Sequence, residues 1–262
     1  MGYYAAREIY PWLHSIRDPQ GVFCYLAVGA ERALLFDAAY GVGSLPDAVR
    51  EITDKPFDVV LGHGHLDHAM GAYQFDEVWL HESDFGLCEE HCSEEFRKMN
   101  LGDLAAKGAP LPEGFDADAY AKAGAGRLKK METGRVFDLG GLSMEVVGME
   151  GHTAGSVGLL ARERRVLLDS DSASNHVWMF LEESLPLSEY AAMLERVAAL
   201  GFDTFFGGHF DDPRPKSDFE KYIRAAREAP AGESTPYPQF PWLKGWLYRG
   251  DGADIVFNKD RL

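Results

Sequence analysis

Gly62-His63-Gly64-His65-Leu66-Asp67-His68 sets three imidazoles and a carboxylate within seven residues. Phe57-Asp58-Val59-Val60-Leu61, just before it, is a largely apolar run bounded by Pro56 and Gly62, which predicts a short buried strand. Gly62 and Gly64 are expected to let the backbone bend tightly between the imidazoles. Imidazole nitrogen and carboxylate oxygen are the donors preferred by zinc and related first-row metals. Two His at i and i+2 followed by Asp-His cannot share one helix face or one strand face. A loop leaving a strand end can instead point His63 and His65 at one ion and Asp67 and His68 at a neighbouring one. A polar turn would hold the same residue types, but crowding them without cations to neutralise and coordinate them is costly. The stretch predicts a metal site.

Working outward, 262 residues allow one large domain or two small ones with a substantial core. A hydrophobic fraction of 46% beside 26% charged residues is that of an ordinary globular enzyme. The chain contains no apolar run of membrane-spanning length and no basic-then-apolar start, so neither a membrane span nor a secretory leader is expected. Cys24, Cys88 and Cys92, an odd number, fit a reducing cytoplasm better than a disulfide framework. A net charge of -16 opposes a polynucleotide partner.

Upstream of the metal loop, Val22–Val28 and Ala33–Phe36 flank a four-residue turn and predict a β-hairpin. Ser44 is expected to cap a helix with Leu45, Ala48, Val49 and Ile52 on its apolar side. Glu77–His81 reads as the next strand. Residues 82–134 are acidic, then rich in Ala, Gly, Pro and Asp. They read as an insertion that either covers the site or is a solvated excursion. Cys88, His91 and Cys92 in this stretch are read as ordinary helix positions, because one isolated cluster is weak support for structural zinc.

Downstream, Leu142–Val146 alternates as a strand, and Ser156–Leu160 with Arg165–Leu168 predicts a second hairpin. Leu187, Tyr190, Ala191, Leu194 and Val197 recur at helical spacing, and Phe202–Phe206 is another apolar strand. Ser217-Asp218-Phe219-Glu220 reads as a capping box opening a last helix, and Asp254–Phe257 as a closing strand. His63, His152, Asp171 and His209 each follow a short apolar strand at a Gly or Ser turn, so strand ends on a common sheet edge can bring them together.

With His63-x-His65-x-Asp67-His68, then Gly151-His152-Thr153, Asp171 and Gly208-His209 in this order, the chain resembles the metallo-β-lactamase superfamily from about Val22 to His209. The resemblance implies an α+β fold, a four-layer αββα sandwich of two mixed sheets with helices outside, here as a single domain over residues 1–262. It also implies one ion on His63, His65 and His152. A second would sit on Asp67, His68 and His209, with Asp171 bridging and Asp67 given a catalytic as well as a ligating role. Ser170 stands where the family often has Gly, and Asp169 is a rival for the bridge. Asp37 resembles an early strand-end Asp able to accept a hydrogen bond from a ligand imidazole, or it is a simple turn residue.

Seven donors for two ions leave coordination positions open, which marks a catalytic rather than a structural site. Two divalent ions, zinc first and iron or manganese as alternatives, would hold a shared hydroxide that attacks an electrophilic centre. The expected activity is hydrolysis of a small ester-type substrate, a thioester, lactone or relative, with no serine elbow to supply another nucleophile. His176 and Trp178 are candidates beside the ligands or the substrate. Phe180, Trp242, Trp246 and Tyr248 either form an apolar wall or pack as core. His14, His81 and His91 are read as structural. The rival readings are a phosphodiesterase using the same donors, a mononuclear iron dioxygenase keeping His63, His152 and Asp171, and a non-catalytic sensor that binds a small molecule.

Overall fold

Strand β3 (Phe23–Val28), between β2 (Leu13–Arg17) and β4 (Ala33–Phe36), shows how the chain builds its layers. Cys24 and Leu26 point to one side while Phe23, Tyr25 and Ala27 point to the other, and all five are buried. A strand covered on both faces reads as continuously apolar, which is why this hairpin is conspicuous in the sequence. The computed structural model describes residues 2–174, 176–239 and 243–262; Trp242, named above as a pocket-wall candidate, lies outside them.

The first sheet runs in sequential order: β1 (Ala5–Tyr10), β2, β3, β4, β5 (Phe57–Val60), β6 (Val78–His81) and β7 (Leu128–Met131). It is antiparallel from β1 to β4 and parallel from β4 to β7. Four more strands follow: β8 (Val136–Asp138), β9 (Ser143–Gly148), β10 (Val157–Ala161) and β11 (Val166–Ser170). β12 (His176–Met179) leaves this second sheet, and β13 (Thr204–Gly207) and β14 (Phe210–Pro215) rejoin it in the order β14-β13-β11-β10-β9-β8. The β11–β13 pair is parallel and the rest antiparallel, so both sheets are mixed, as expected.

Between the sheets lies a core that includes Leu34, Phe36 and Val60 from one side and Met144, Val146, Leu159, Leu168 and Phe206 from the other. Helices α1 (Leu45–Arg50), α2 (Leu66–Ala69), α3 (Phe85–His91), α4 (Glu94–Ala106) and α5 (Ala117–Ala121) contribute to a second core against the first sheet. Helices α6 (Leu187–Ala198) and α7 (Phe219–Glu228) cover the second sheet through Tyr190, Leu194, Val197, Phe219 and Tyr222. The layers are therefore α, β, β, α, as the resemblance implies. Residues 82–134 carry α3, α4 and α5 across the outer face of the first sheet and end in β7, which pairs with β6.

The structure differs from expectation at three points. A third sheet, unforeseen, joins β12 to β17 (Asp254–Phe257), β16 (Trp246–Arg249) and β15 (Ser234–Pro236) in that order. Asp254–Phe257 is the closing strand expected, but the aromatic and proline content of the tail before it hid β15 and β16. The capping box at Ser217 does not form: Lys216–Asp218 is a 3-10 turn, and α7 starts at Phe219 without a side-chain cap. Gly62 and Gly64 are needed for close approach rather than for an unusual bend, since neither has a positive φ. A Cβ on Gly62 would stand 2.6 Å from the Ser170 side chain, and one on Gly64 would stand 2.9 Å from the Cys88 backbone nitrogen.

Candidate metal centre

The site forms where strands of both sheets run out. β4 ends into Asp37, β5 into Gly62 and His63, β11 into Asp171, β13 into Gly208 and His209, and the β9–β10 turn carries His152. α2 begins at Leu66, directly after His65, and holds Asp67 and His68 in its single turn.

Two donor clusters result. Ligand atoms of His63, His65 and His152 lie within 4.8 Å of one another, and so do those of Asp67, His68, Asp171 and His209. In the first cluster, Nδ1 of His65 is 2.9 Å from Nε2 of His152, and Nε2 of His63 is buried without a hydrogen-bond partner. In the second, Nε2 of His68 is 3.4 Å from Asp67 and 3.3 Å from Asp171. Nε2 of His209 is 3.5 and 3.3 Å from the same two carboxylates. Asp171 also lies 3.8 Å from Nε2 of His152, so it stands between the clusters. Asp169 is buried and belongs to neither. Three imidazoles in one group, and two carboxylates with two imidazoles in the other, suit divalent cations. The residues present fit two such ions.

The nitrogens facing away from the clusters are held as well. His63 Nδ1 lies 3.2 Å from the Ser170 hydroxyl and His68 Nδ1 lies 3.0 Å from Asp37. His152 Nδ1 lies 2.7 Å from the Trp178 carbonyl, and His65 Nε2 lies 2.6 Å from Glu183. Asp37 also accepts the Gly62 N–H at 2.6 Å and the Ser170 hydroxyl at 2.8 Å. Such outer partners select the tautomer and ring orientation of ligating histidines.

The electrostatics divide the clusters. Burial, then the neighbouring imidazoles, hold His63 well below the usual histidine range, and His152 is lowered by burial and His65. Burial opposes charge at Asp67 and Asp171, but His68 and His209 outweigh it and keep both carboxylates well below their usual range. His68 is likewise raised by its three carboxylate neighbours against burial, and Asp171 raises His209 to about 10.

The profile of the metallo-beta-lactamase superfamily matches residues 17–229. This chain belongs to the metallo-beta-lactamase superfamily. The superfamily's reliance on divalent metals agrees with the two donor clusters. Among relatives, the chain is 26% identical over 189 residues to a Bos taurus protein named acyl-coenzyme A thioesterase MBLAC2, covering 67% of each chain. A Gallus gallus protein of the same name is 29% identical over 156 residues, 56% of each chain. Among solved structures, a superfamily protein from Thermus thermophilus superposes with a TM-score of 0.62 at 20% identity, over 85% of this chain and 81% of that one. The sec-alkylsulfatase Pisa1 from Pseudomonas sp. gives 0.64 at 15% identity, over 86% of this chain and 41% of that one. At such identities these structures share the fold.

Of the remaining candidates, Trp178 reaches His152 through its backbone, while its ring lies 5.8 Å from Phe180 and 6.4 Å from Tyr237. The His176 ring lies 5.8 Å from that of Tyr237. Trp246 and Tyr248 pack against the core beneath α6 and α7. Four residues near the donors escaped the sequence reading. Ser170 was noted only as a departure, and His91, read as structural, stacks on His65 at 5.1 Å. Asp84 accepts the Gly64 N–H at 2.9 Å, the Gly155 N–H at 2.7 Å and the Thr153 hydroxyl at 2.7 Å. Glu183 and Asp84 sit in ordinary acidic stretches, where no local pattern separates them from solvated neighbours.

Proposed function

We propose that this chain is a metal-dependent hydrolase of thioesters, acting on an acyl group carried by a small thiol. It would hold two divalent ions, zinc first, on His63, His65 and His152 and on Asp67, His68, His209 and the shared Asp171. The observation that carries this reading is the position of Asp171, within 3.3 Å of His68 and His209 and 3.8 Å of His152. When bound, such ions polarise a carbonyl oxygen and acidify a coordinated water.

The rest of the chemistry falls to the chain. Asp67 and Asp171 stay ionised and place negative charge between the imidazoles. Asp37, Ser170, Trp178 and Glu183 keep four imidazoles turned inward, so little reorganisation is needed as charge develops. A thiolate leaving group, with a pKa near 8.5, departs without a strong general acid. The three cysteines are buried, so none is placed as a nucleophile. The cluster of Trp178, Phe180 and Tyr237 beside His152 is the apolar surface proposed for the acyl group. The thioester choice, over lactone or phosphodiester, is supported by the relatives named acyl-coenzyme A thioesterase.

Elemental analysis by plasma mass spectrometry on wild type and Asp171→Ala, with turnover of acyl-coenzyme A, lactone and phosphodiester panels, tests the proposal. About two zinc per chain, falling in the variant, with thioester cleavage abolished by His63→Ala, is the expected result. About one iron per chain with oxygen uptake would replace it with dioxygenase chemistry. Phosphodiester turnover alone would move it to that class, and tight ligand binding without turnover would make the chain a sensor.

A further inference from the structure

His65 is held on two sides. Its Nδ1 faces Nε2 of His152 at 2.9 Å, and its Nε2 meets a Glu183 carboxylate oxygen at 2.6 Å. The His91 ring stacks on its face at 5.1 Å and 22°, leaving the imidazole little freedom to turn.

Glu183 lies in the segment between β12 and α6, which crosses directly over the His152 turn. The Ser184 hydroxyl donates to the His152 carbonyl at 2.9 Å and the Leu185 N–H to the Gly151 carbonyl at 2.8 Å. From outside, the Arg261 guanidinium donates to the Leu181 carbonyl at 2.9 Å, the Glu182 carbonyl at 2.8 Å and the Ser184 carbonyl. Arginine's planar fork thus grips the backbone on both sides of Glu183 at once, a geometry that a flexible ammonium would not impose.

We propose that Glu183 is a positioning residue of the first cluster, holding His65 with Nδ1 toward the ion, and that Arg261 acts through Glu183 by clamping the backbone that carries it. A carboxylate on Nε2–H fixes the tautomer with its lone pair on Nδ1 and makes that nitrogen a better donor. The inference rests on the metal-site part of the proposed function but not on its substrate.

Zinc affinity is measured by competition with a chelator of known affinity, and cobalt-substituted protein is followed by its visible absorption. Glu183→Gln is expected to weaken one of the two ions about 10- to 100-fold, leave the other unchanged and alter the cobalt spectrum. Arg261→Ala should weaken the same ion by a smaller factor, and the double variant should bind no more weakly than Glu183→Gln alone. Should Glu183→Gln not fold, Glu183→Asp, which keeps the charge but shortens the reach, is expected to weaken that ion less than tenfold. Binding of both ions by Glu183→Gln at wild-type affinity would overturn the role of Glu183. Additive losses in the double variant would overturn the role of Arg261. A wild type that binds two ions but cleaves no thioester sinks the substrate proposal and leaves this one standing. A wild type that binds no ion overturns both.

Discussion

Asp37 and Ser170 sit at φ of 66° and 51°, in the left-handed region that non-glycine residues avoid, and their side chains hydrogen-bond to each other at 2.8 Å. Ser170 explains the missing glycine there: its hydroxyl, which also lies 3.2 Å from His63, offsets the backbone cost. Ser170→Gly is therefore expected to change stability by less than about 1 kcal/mol, strain relief of roughly that size cancelling lost hydrogen bonds. It should still weaken zinc, read by denaturant unfolding beside chelator competition. Asp169 has neither oxygen partnered, and burial, then Asp171, pushes its carboxyl well above the usual range. A raised carboxyl pKa adds stability below the unfolded value near 3.8 that is lost as pH rises, because the folded state must keep its proton. Asp169→Asn removes that dependence. In metal-free protein it should raise the melting temperature at pH 8 and leave it near wild type at pH 4.

At the scale of elements, the two histidine-bearing loops are joined through the start of α3. Asp84, almost wholly buried, ties the Gly64 N–H of one loop to the Gly155 N–H and Thr153 hydroxyl of the other. Its removal would leave buried donors without acceptors. Asp84→Ala is expected to cost about 3 kcal/mol in urea unfolding, as loss of a charge-assisted hydrogen-bond set does. It should also separate His65 from His152, so zinc stoichiometry should fall. The helices of residues 82–134 thus do more than screen the first sheet, since α3 packs against Gly64 so closely that a Cβ would meet the Cys88 nitrogen.

For the whole molecule, the two clusters answer pH in opposite ways. His63 and His152 are held neutral near pH 7, whereas His68 and His209 carry protons that an ion must displace. Affinity at the carboxylate-bearing cluster should rise roughly tenfold per pH unit for each proton displaced, up to about pH 10, the value of His209. Affinity at the three-histidine cluster should depend less on pH, because the lowered His63 and His152 have no proton to give up there. Calorimetric titration in buffers of different ionisation enthalpy would read proton release at one ion and not at the other. The raised pKa of His209 contributes stability that is present below pH about 6.5 and fades toward pH 10 in metal-free protein. The gap between loaded and chelated protein should therefore widen as pH rises. With ions near 1,000 times their dissociation constants, about 4 kcal/mol of stabilisation and a melting shift of roughly 10 °C are expected on adding a chelator. Among the described residues no helix is long and apolar enough to cross a membrane.

The sequence by itself determined the seven donor positions that the structure assembles, and the resemblance carried by their order implied the layered fold. The donors rest on local patterns, residues clustered at the turns that end apolar runs, whereas the sandwich followed from the resemblance that the ordered motifs carry. Asp37 was legible through that resemblance, as an Asp standing directly after β4. Only the tertiary structure decided what holds the donors in place. Glu183, Asp84 and Arg261 act across 118, 71 and 80 residues, through one carboxylate or one guanidinium each. A charged residue in a loop looks the same in sequence whether it faces solvent or an imidazole. The third sheet was hidden likewise, because β12 finds its partner β17 only after the chain has passed through α6 and α7, and pairing between distant strands leaves no local periodicity to read.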